Sequence, residues 1–163
     1  MKPSLGLSPA EVADVAGAAI AGGAAFVKDD EILGDPAWCP LDERVRAVAK
    51  VLAPGVVYCP NITGPSSTLA GRARRVVDLE VTGLLVNALA LGLDGLIASG
   101  GLTWGVPILA RRAGSGPCSR SEWFGATDAV LAKWCRLCGA DYGIVGAVPG
   151  GTVRFGGGGV GQP

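Results

Sequence analysis

Histidine is absent from the 163-residue sequence, and that absence excludes more chemistry than any other feature of the chain. No Ser-His-Asp or Cys-His nucleophile, no histidine-based zinc site and no imidazole base can be built. Lysine, carboxylates, tyrosine or a metal-bound water must therefore carry any acid–base step. Net charge is missing as well, with 14 Lys and Arg against 14 Asp and Glu. There is no basic stripe and no acidic tail, which argues against nucleic acid or an anionic membrane surface as partner. Long apolar runs are also lacking. The longest, around Leu84 to Leu93, is interrupted by Asn87 and Gly92 and falls short of the ~20 residues that span a bilayer. The opening Met1-Lys2-Pro3-Ser4 leads into an amphipathic stretch carrying Glu11 and Asp14, not into the apolar core of a secretory signal. The expectation is a cytoplasmic protein with neither membrane nor nucleic acid as partner.

What is present is small and apolar. The hydrophobic fraction is 49% and glycine occurs 27 times, a composition suited to close packing of helices on a sheet. The cysteine count is five, and an odd count without a secretory signal argues against a disulfide framework. Cys135 and Cys138 form a single CxxC pair in a helical pattern. A structural zinc site takes four ligands, so the pair reads as packing. Trp38, Trp104, Trp123 and Trp134 read as packing and loop anchors, and Arg72, Arg74 and Arg75 as the solvated face of a helix.

Short β-type runs alternate with helical ones. Met1 to Leu5 reads as a first strand. Pro9 to Ala21 reads as a helix with Ser8 as N-cap, Glu11 completing a capping box and Gly22-Gly23 as the stop. Strand Ala25–Lys28, helix Leu41–Leu52, strand Val56–Cys59, helix Thr68–Leu79, strand Gly83–Asn87 and helix Leu91–Ser99 follow. Strand Val106–Leu109, helix Ala126–Cys138 and strand Tyr142–Val145 complete the series. These are about six βα units. Strands this short and apolar are buried on both faces, so the sheet is parallel. Periodicity alone leaves open whether the units form a doubly wound sheet or a (β/α)8 barrel.

The stretch richest in chemistry is Gly22-Gly23-Ala24-Ala25-Phe26-Val27-Lys28-Asp29-Asp30-Glu31. Side chains alternate along a strand, so Lys28 and Asp30 point to one face and Asp29 to the other. Glu31 sits where the strand gives way to its loop. Lys28, Asp30 and Glu31 can thus meet at the C-terminal mouth of a barrel. Two carboxylates suit a hard cation such as Mg²⁺; an ammonium repels one unless it is converted into an oxygen ligand. The same residues also read as a solvated loop with a Lys–Asp ion pair.

This stretch resembles the metal-site signature of the RuBisCO large-chain superfamily. Further similarity follows in order along the chain: Lys2-Pro3-Ser4-Leu5-Gly6-Leu7-Ser8, Pro40 to Val45, Tyr58 to Gly64, Val106 to Ala113 and Arg136 to Asp141. The resemblance implies a (β/α)8 barrel domain. It implies that Lys28 is carbamylated by CO₂ and holds Mg²⁺ together with Asp30 and Glu31, that Lys2 acts as acid/base, and that Arg112 contacts a substrate phosphate. Asn61 and Asn87, at strand ends, are candidates for lining the site. The tail Phe155-Gly156-Gly157-Gly158-Gly159 resembles the family's glycine phosphate loop, with Gly156 and Gly157 as backbone contacts, and Gln162 stands where the family has histidine. It reads equally as a flexible glycine end.

The departures point to the RuBisCO-like branch. Ser4 replaces a second lysine, Arg111 a histidine, Tyr142 and Ile144 a histidine pair, and the loop Ala147 to Gly151 offers no lysine to hold a new carboxylate. Carbon fixation is not expected. Val86 to Asp94 and Pro149 to Val153 look most like the branch that enolises 2,3-diketo-5-methylthiopentyl 1-phosphate in methionine salvage, while other branches of the family isomerise or decarboxylate related sugar phosphates and remain the alternative, with carboxylase activity itself behind them. A phosphorylated small-molecule substrate is the implied partner. Because a full barrel takes ~250 residues, the resemblance implies a single incomplete domain over 1–163, without the family's N-terminal domain and the strand-seven region. Such an open barrel would be covered by a homodimer partner or another subunit, and its isolated chain could be catalytically inactive.

Overall fold

The computed structural model describes residues 1, 5–100, 105–120, 123 and 125–144. Among the described residues five short strands alternate with helices: β1 (Phe26–Lys28), β2 (Val57–Cys59), β3 (Leu84–Asn87), β4 (Ile108–Arg111) and β5 (Tyr142–Gly143). The main helices are α1 (Pro9–Ala21), α2 (Leu41–Ala49), α3 (Leu69–Val77), α4 (Ala88–Gly100), the short α5 (Gly116–Ser119) and α6 (Asp128–Leu137). The expected first strand over Met1–Leu5 falls largely outside the described residues, although the Met1 amino group donates to the Lys28 carbonyl oxygen at 2.5 Å. No described helix is long and apolar enough to cross a membrane.

Strand order decides between the two folds that periodicity leaves open. β1 pairs with β2, β3 with β4 and β4 with β5, all parallel. The two ladders join beyond β2, where Asn61 bridges to Leu85. There the Leu85 N–H donates to the Pro60 carbonyl at 2.9 Å and the Ile62 N–H to the Leu85 carbonyl at 3.0 Å. Neighbours in space are thus neighbours in sequence throughout. A doubly wound sheet reverses its order at a switch point; this one does not, and the chain forms an arc of a (β/α)8 barrel. Helices α1 to α4 pack each on the next and α4 packs on α6, forming the outer layer.

Alternation sorts each strand into two faces. Val27, Tyr58, Leu84, Val86, Ile108 and Ala110 face the helices and join the main core with Leu41, Val45, Val48, Leu69 and Val76. Cys59, Leu85 and Leu109 form a separate small cluster with Val57 and Ile144 on the inner face. On that face Phe26 is 45% and Tyr142 61% exposed, so the expectation of strands buried on both faces does not hold at these two positions. Trp38 and Trp134 are also half exposed, and Trp123 almost fully so. They are therefore less embedded than packing anchors would be, while Trp104 lies outside the described residues.

Local chemistry explains the elements. The α1 capping box is formed, with Ser8 Oγ accepting from the Glu11 N–H and the Glu11 carboxylate accepting from the Ser8 N–H at 2.8 Å. α4 follows β3 directly, starting at Ala88 and not at the expected Leu91, and is broken at Gly92, whose φ of +72° suits glycine and kinks the helix there. β4 runs two residues later than its apolar run suggests, ending on Arg111 instead of Leu109. Its pairing with β3 continues to Asn87↔Arg111, because charged side chains are tolerated where a barrel strand reaches its mouth. Cys135 is buried in the main core and Cys138 packs against it.

Two arginines hold the loops after β1 and β2. Arg44 and Arg72 are each the fourth residue of a helix and lie on its apolar stripe: Leu41, Arg44, Val45 and Val48 in α2, and Leu69, Arg72, Ala73 and Val76 in α3. Arg44, fully buried, donates to the Cys39 carbonyl at 2.7 Å and to the Gly34 carbonyl at 2.8 Å. Arg72 donates to the carbonyls of Ile62 at 2.9 Å and Pro65 at 3.0 Å and to the Thr68 hydroxyl. Arg72 is therefore buried, not part of a solvated face; only Arg74 and Arg75 behave as expected, Arg75 pairing with Asp42 at 3.2 Å. The guanidinium of Arg72 lies against Gly64, where a Cβ would stand 2.8 Å from Cζ.

Candidate active site

The inner-face positions nearest the C-terminal strand ends are Lys28, Asn61, Asn87 and Arg111, which share one phase of the alternation. That phase brings together residues far apart in sequence. Lys28 Nζ lies 3.4 Å from Glu31 Oε2 and donates to the Asp29 carbonyl at 3.0 Å. Arg111 Nη2 lies 2.7 Å from Glu31 Oε1. Both Glu31 oxygens thus face a cation, and all three side chains are about one-fifth exposed. Burial alone would raise the Glu31 carboxyl, but the bond and charge of Arg111, a backbone hydrogen bond and the Lys28 charge outweigh it and bring it down to about 2.

The two aspartates part company, as strand alternation requires. Asp29 is buried among structural groups. Its carboxylate accepts from Arg44 Nε at 2.9 Å, from the Tyr58 hydroxyl at 2.9 Å and from the Asn61 N–H at 3.0 Å. Burial and the Asp29 charge push the Tyr58 phenol well above its ordinary range. The same two causes push the Cys59 thiol up to about 12, so Cys59 is a neutral packing group and not a nucleophile. Asp30 is 1% exposed; its Oδ1 accepts from the Ile32 N–H at 3.0 Å and its carbonyl from Asn61 Nδ2 at 2.9 Å.

Asn61 is fully buried, and its Oδ1 accepts from the Thr63 N–H at 2.9 Å. One end of its amide therefore holds the backbone of Asp30, and the other holds its own loop after β2. Asn87 differs: its N–H donates to the Thr63 hydroxyl at 2.8 Å, while its side-chain Oδ1 is buried with no hydrogen-bond partner among the described residues. Arg112 turns away from Arg111, donating to the Ser115 hydroxyl at 2.8 Å and to the Asp128 carboxylate. The two arginines border a cavity of about 220 Å³ with Ala113, Gly114, Ser115, Gly116 and Ile144. A larger cavity of about 350 Å³ lies between α6 and the start of β5, lined by Cys135, Arg136, Asp141 and Tyr142. It contains none of the mouth residues. Lys2, Gly156 and Gly157 lie outside the described residues.

Sequence reasoning did not single out Arg44, Tyr58 or Thr63, and it treated Arg111 only as a departure. One signal for Arg44 was available: an arginine on the apolar stripe of an amphipathic helix must find partners inside.

The chain as a whole is similar to known proteins. The model of the ribulose bisphosphate carboxylase large chain, catalytic domain, matches residues 1–158. A ribulose bisphosphate carboxylase-like protein of Allochromatium vinosum is 33% identical over 148 residues, covering 86% of this chain and 32% of its own. The 2,3-diketo-5-methylthiopentyl-1-phosphate enolase of Geobacillus thermodenitrificans is 36% identical over 145 residues, covering 82% and 34%. Among solved structures, a rubisco-like protein from Alicyclobacillus acidocaldarius superposes with a TM-score of 0.76 at 38% identity, over 86% of this chain and 38% of that one. A dimeric archaeal Rubisco from Hyperthermus butylicus gives 0.82 at 26% identity, over 88% and 36%. The chain spans about a third of the length of the curated relatives it matches.

Proposed function

Because the chain belongs to the RuBisCO large-chain catalytic-domain family, we propose that it serves Mg²⁺-assisted enolisation or isomerisation of a phosphorylated sugar derivative of the methionine-salvage type. The observation that carries this reading is the meeting of Lys28 and Glu31 at 3.4 Å on the inner face of the barrel mouth, next to the buried Asp30. Similarity to a 2,3-diketo-5-methylthiopentyl-1-phosphate enolase supports the substrate class. The replacements at Ser4, Arg111, Tyr142 and Ile144 speak against carboxylation.

Whether a divalent ion fits depends on the state of Lys28. With an ammonium there, Lys28 and Arg111 balance Asp30 and Glu31 in formal charge, and both Glu31 oxygens are taken. With a carbamate there, three anions face one arginine. The net charge of the cluster is then about −2, which suits a dication and its preference for oxygen ligands. Lys28 as carbamate, Asp30 and Glu31 would then hold the ion. When bound, Mg²⁺ stabilises negative charge developing on a substrate carbonyl oxygen.

The chain's own groups do the rest. Asn61 fixes the backbone of Asp30, and Arg44 fixes the loop that follows it, so the acids are held before substrate arrives. The buried, unpartnered Asn87 Oδ1 offers an acceptor to a substrate hydroxyl. Arg112 borders the 220 Å³ cavity and, by motif similarity, would turn its charge to a phosphate in exchange for its present Asp128 partner. Gly156 and Gly157 would add backbone N–H donors, and Lys2 Nζ would accept the α-proton; these three roles rest on motif similarity alone. A homodimer partner or another subunit would cover the open side of this arc. A second reading, a catalytically inactive barrel that only binds, is favoured by the Arg111–Glu31 ion pair. Mg²⁺ titration by calorimetry, with and without bicarbonate, tests the first reading. Bicarbonate-dependent binding that disappears in Lys28→Ala supports it, and absence of binding under both conditions removes it.

A further inference from the structure

Glu31 meets the site from the loop after β1, and Arg111 arrives from the end of β4, 80 residues later. Their 2.7 Å contact joins strands that are not neighbours in the sheet. Arginine cannot shed its proton in a protein, so this positive charge is permanent, unlike that of Lys28, which chemistry can replace. The guanidinium is also incompletely satisfied: its Nε is buried with no hydrogen-bond partner among the described residues. Arg112 does not share its position, being committed to Ser115 and Asp128 on the other side.

We infer that Arg111 is a built-in counter-ion of Glu31 that competes with a divalent cation for that carboxylate, so that metal loading requires the guanidinium to leave Glu31. The inference rests on the reading of Lys28, Asp30 and Glu31 as metal ligands. A guanidinium bonded to one oxygen of Glu31 removes that oxygen from a cation's reach, and its charge repels the cation wherever the two approach. Carbamylation of Lys28 makes the site acidic enough to attract a dication, and Arg111 sets how strongly the dication must compete. Metal affinity is therefore lower than the three ligands alone would give.

The test is Mn²⁺ binding to the whole chain, followed by the electron-spin signal of free Mn²⁺ at saturating bicarbonate; Mn²⁺ prefers the same oxygen ligands as Mg²⁺. Arg111→Gln is expected to tighten binding about tenfold or more, the scale of a charge-assisted hydrogen bond. Arg111→Lys, which keeps the charge, is expected to stay near the wild type. The gain in Arg111→Gln is expected to vanish on adding Lys28→Ala. Equal or weaker binding by Arg111→Gln than by the wild type overturns the competition. Absence of binding in both removes the metal-site reading, and the competition with it. A thermal melt checks that each variant folds; should Arg111→Gln not fold, Arg111→Met, which keeps the apolar stem, removes the charge and offers only a soft thioether that Mn²⁺ does not favour, is held to the same two outcomes.

Discussion

Replacing Arg44 by Met keeps the length and apolar stem of the side chain and deletes its charge. Both Arg44 and Asp29 are fully buried, 2.9 Å apart. The deletion therefore leaves a carboxylate in the interior with only the Tyr58 hydroxyl and the Asn61 N–H as partners. It also strips the donors from the Cys39 and Gly34 carbonyls. Burial by itself would lower the Arg44 pKa, but the Asp29 and Tyr58 charges and the bonds to Cys39 and Asp29 raise it, so the guanidinium is charged throughout the accessible pH range. Breaking a buried pair by removing one partner costs about 3–5 kcal/mol, set against a typical domain stability of about 5–15 kcal/mol. For a chain of this size that corresponds to a fall in Tm of about 6–20 °C. Urea unfolding followed by circular dichroism reads the loss. The double variant Arg44→Met with Asp29→Asn removes the orphaned charge and should recover part of it, with a coupling of about 0.5–3 kcal/mol. A single variant within about 1 kcal/mol of the wild type, or strictly additive losses, would refute the buried pair as the anchor of the β1 loop.

Two further outcomes follow from the same loops. Gly64→Ala sets a Cβ against the Arg72 guanidinium and should destabilise the chain by about 1–3 kcal/mol, while Gly71→Ala, where nothing lies within 4 Å of the new Cβ, should be neutral or stabilising; paired melts compare them. Tyr58 is held neutral, its folded pKa lying above the ordinary value of about 10. Its contribution to stability is complete below about pH 10 and is lost as pH rises beyond that toward the folded value. Urea midpoints from pH 8 to 11 should therefore fall more steeply in the wild type than in Tyr58→Phe, and parallel curves would contradict this.

Much of the site was legible because strand alternation is strict. Lys28 and Asp29 separate onto opposite faces as the two-residue period demands, and that alone predicted which acid is buried away from the mouth. What escaped was the cost structure of charge. Arg72 reads as solvated because it neighbours Arg74 and Arg75, yet its helical phase matches Leu69, Ala73 and Val76. The end of β4 escaped for a related reason: the bulky apolar residues stop at Leu109, but backbone pairing continues through the small Ala110 to seat Arg111 opposite Asn87. Hydrophobicity marks where a strand is buried, whereas its hydrogen-bonded register sets where it ends. The Arg111–Glu31 contact joins residues 80 positions apart that no local pattern connects.

The central claim is that Lys28 becomes an anionic ligand. ¹³C-NMR of the whole chain in ¹³C-labelled bicarbonate with Mg²⁺, on the wild type and on Lys28→Ala, measures this directly. The account predicts a carbamate carbonyl resonance in the wild type that strengthens as Mg²⁺ is added and is absent from Lys28→Ala. No carbamate resonance, or one that survives in Lys28→Ala, would contradict it.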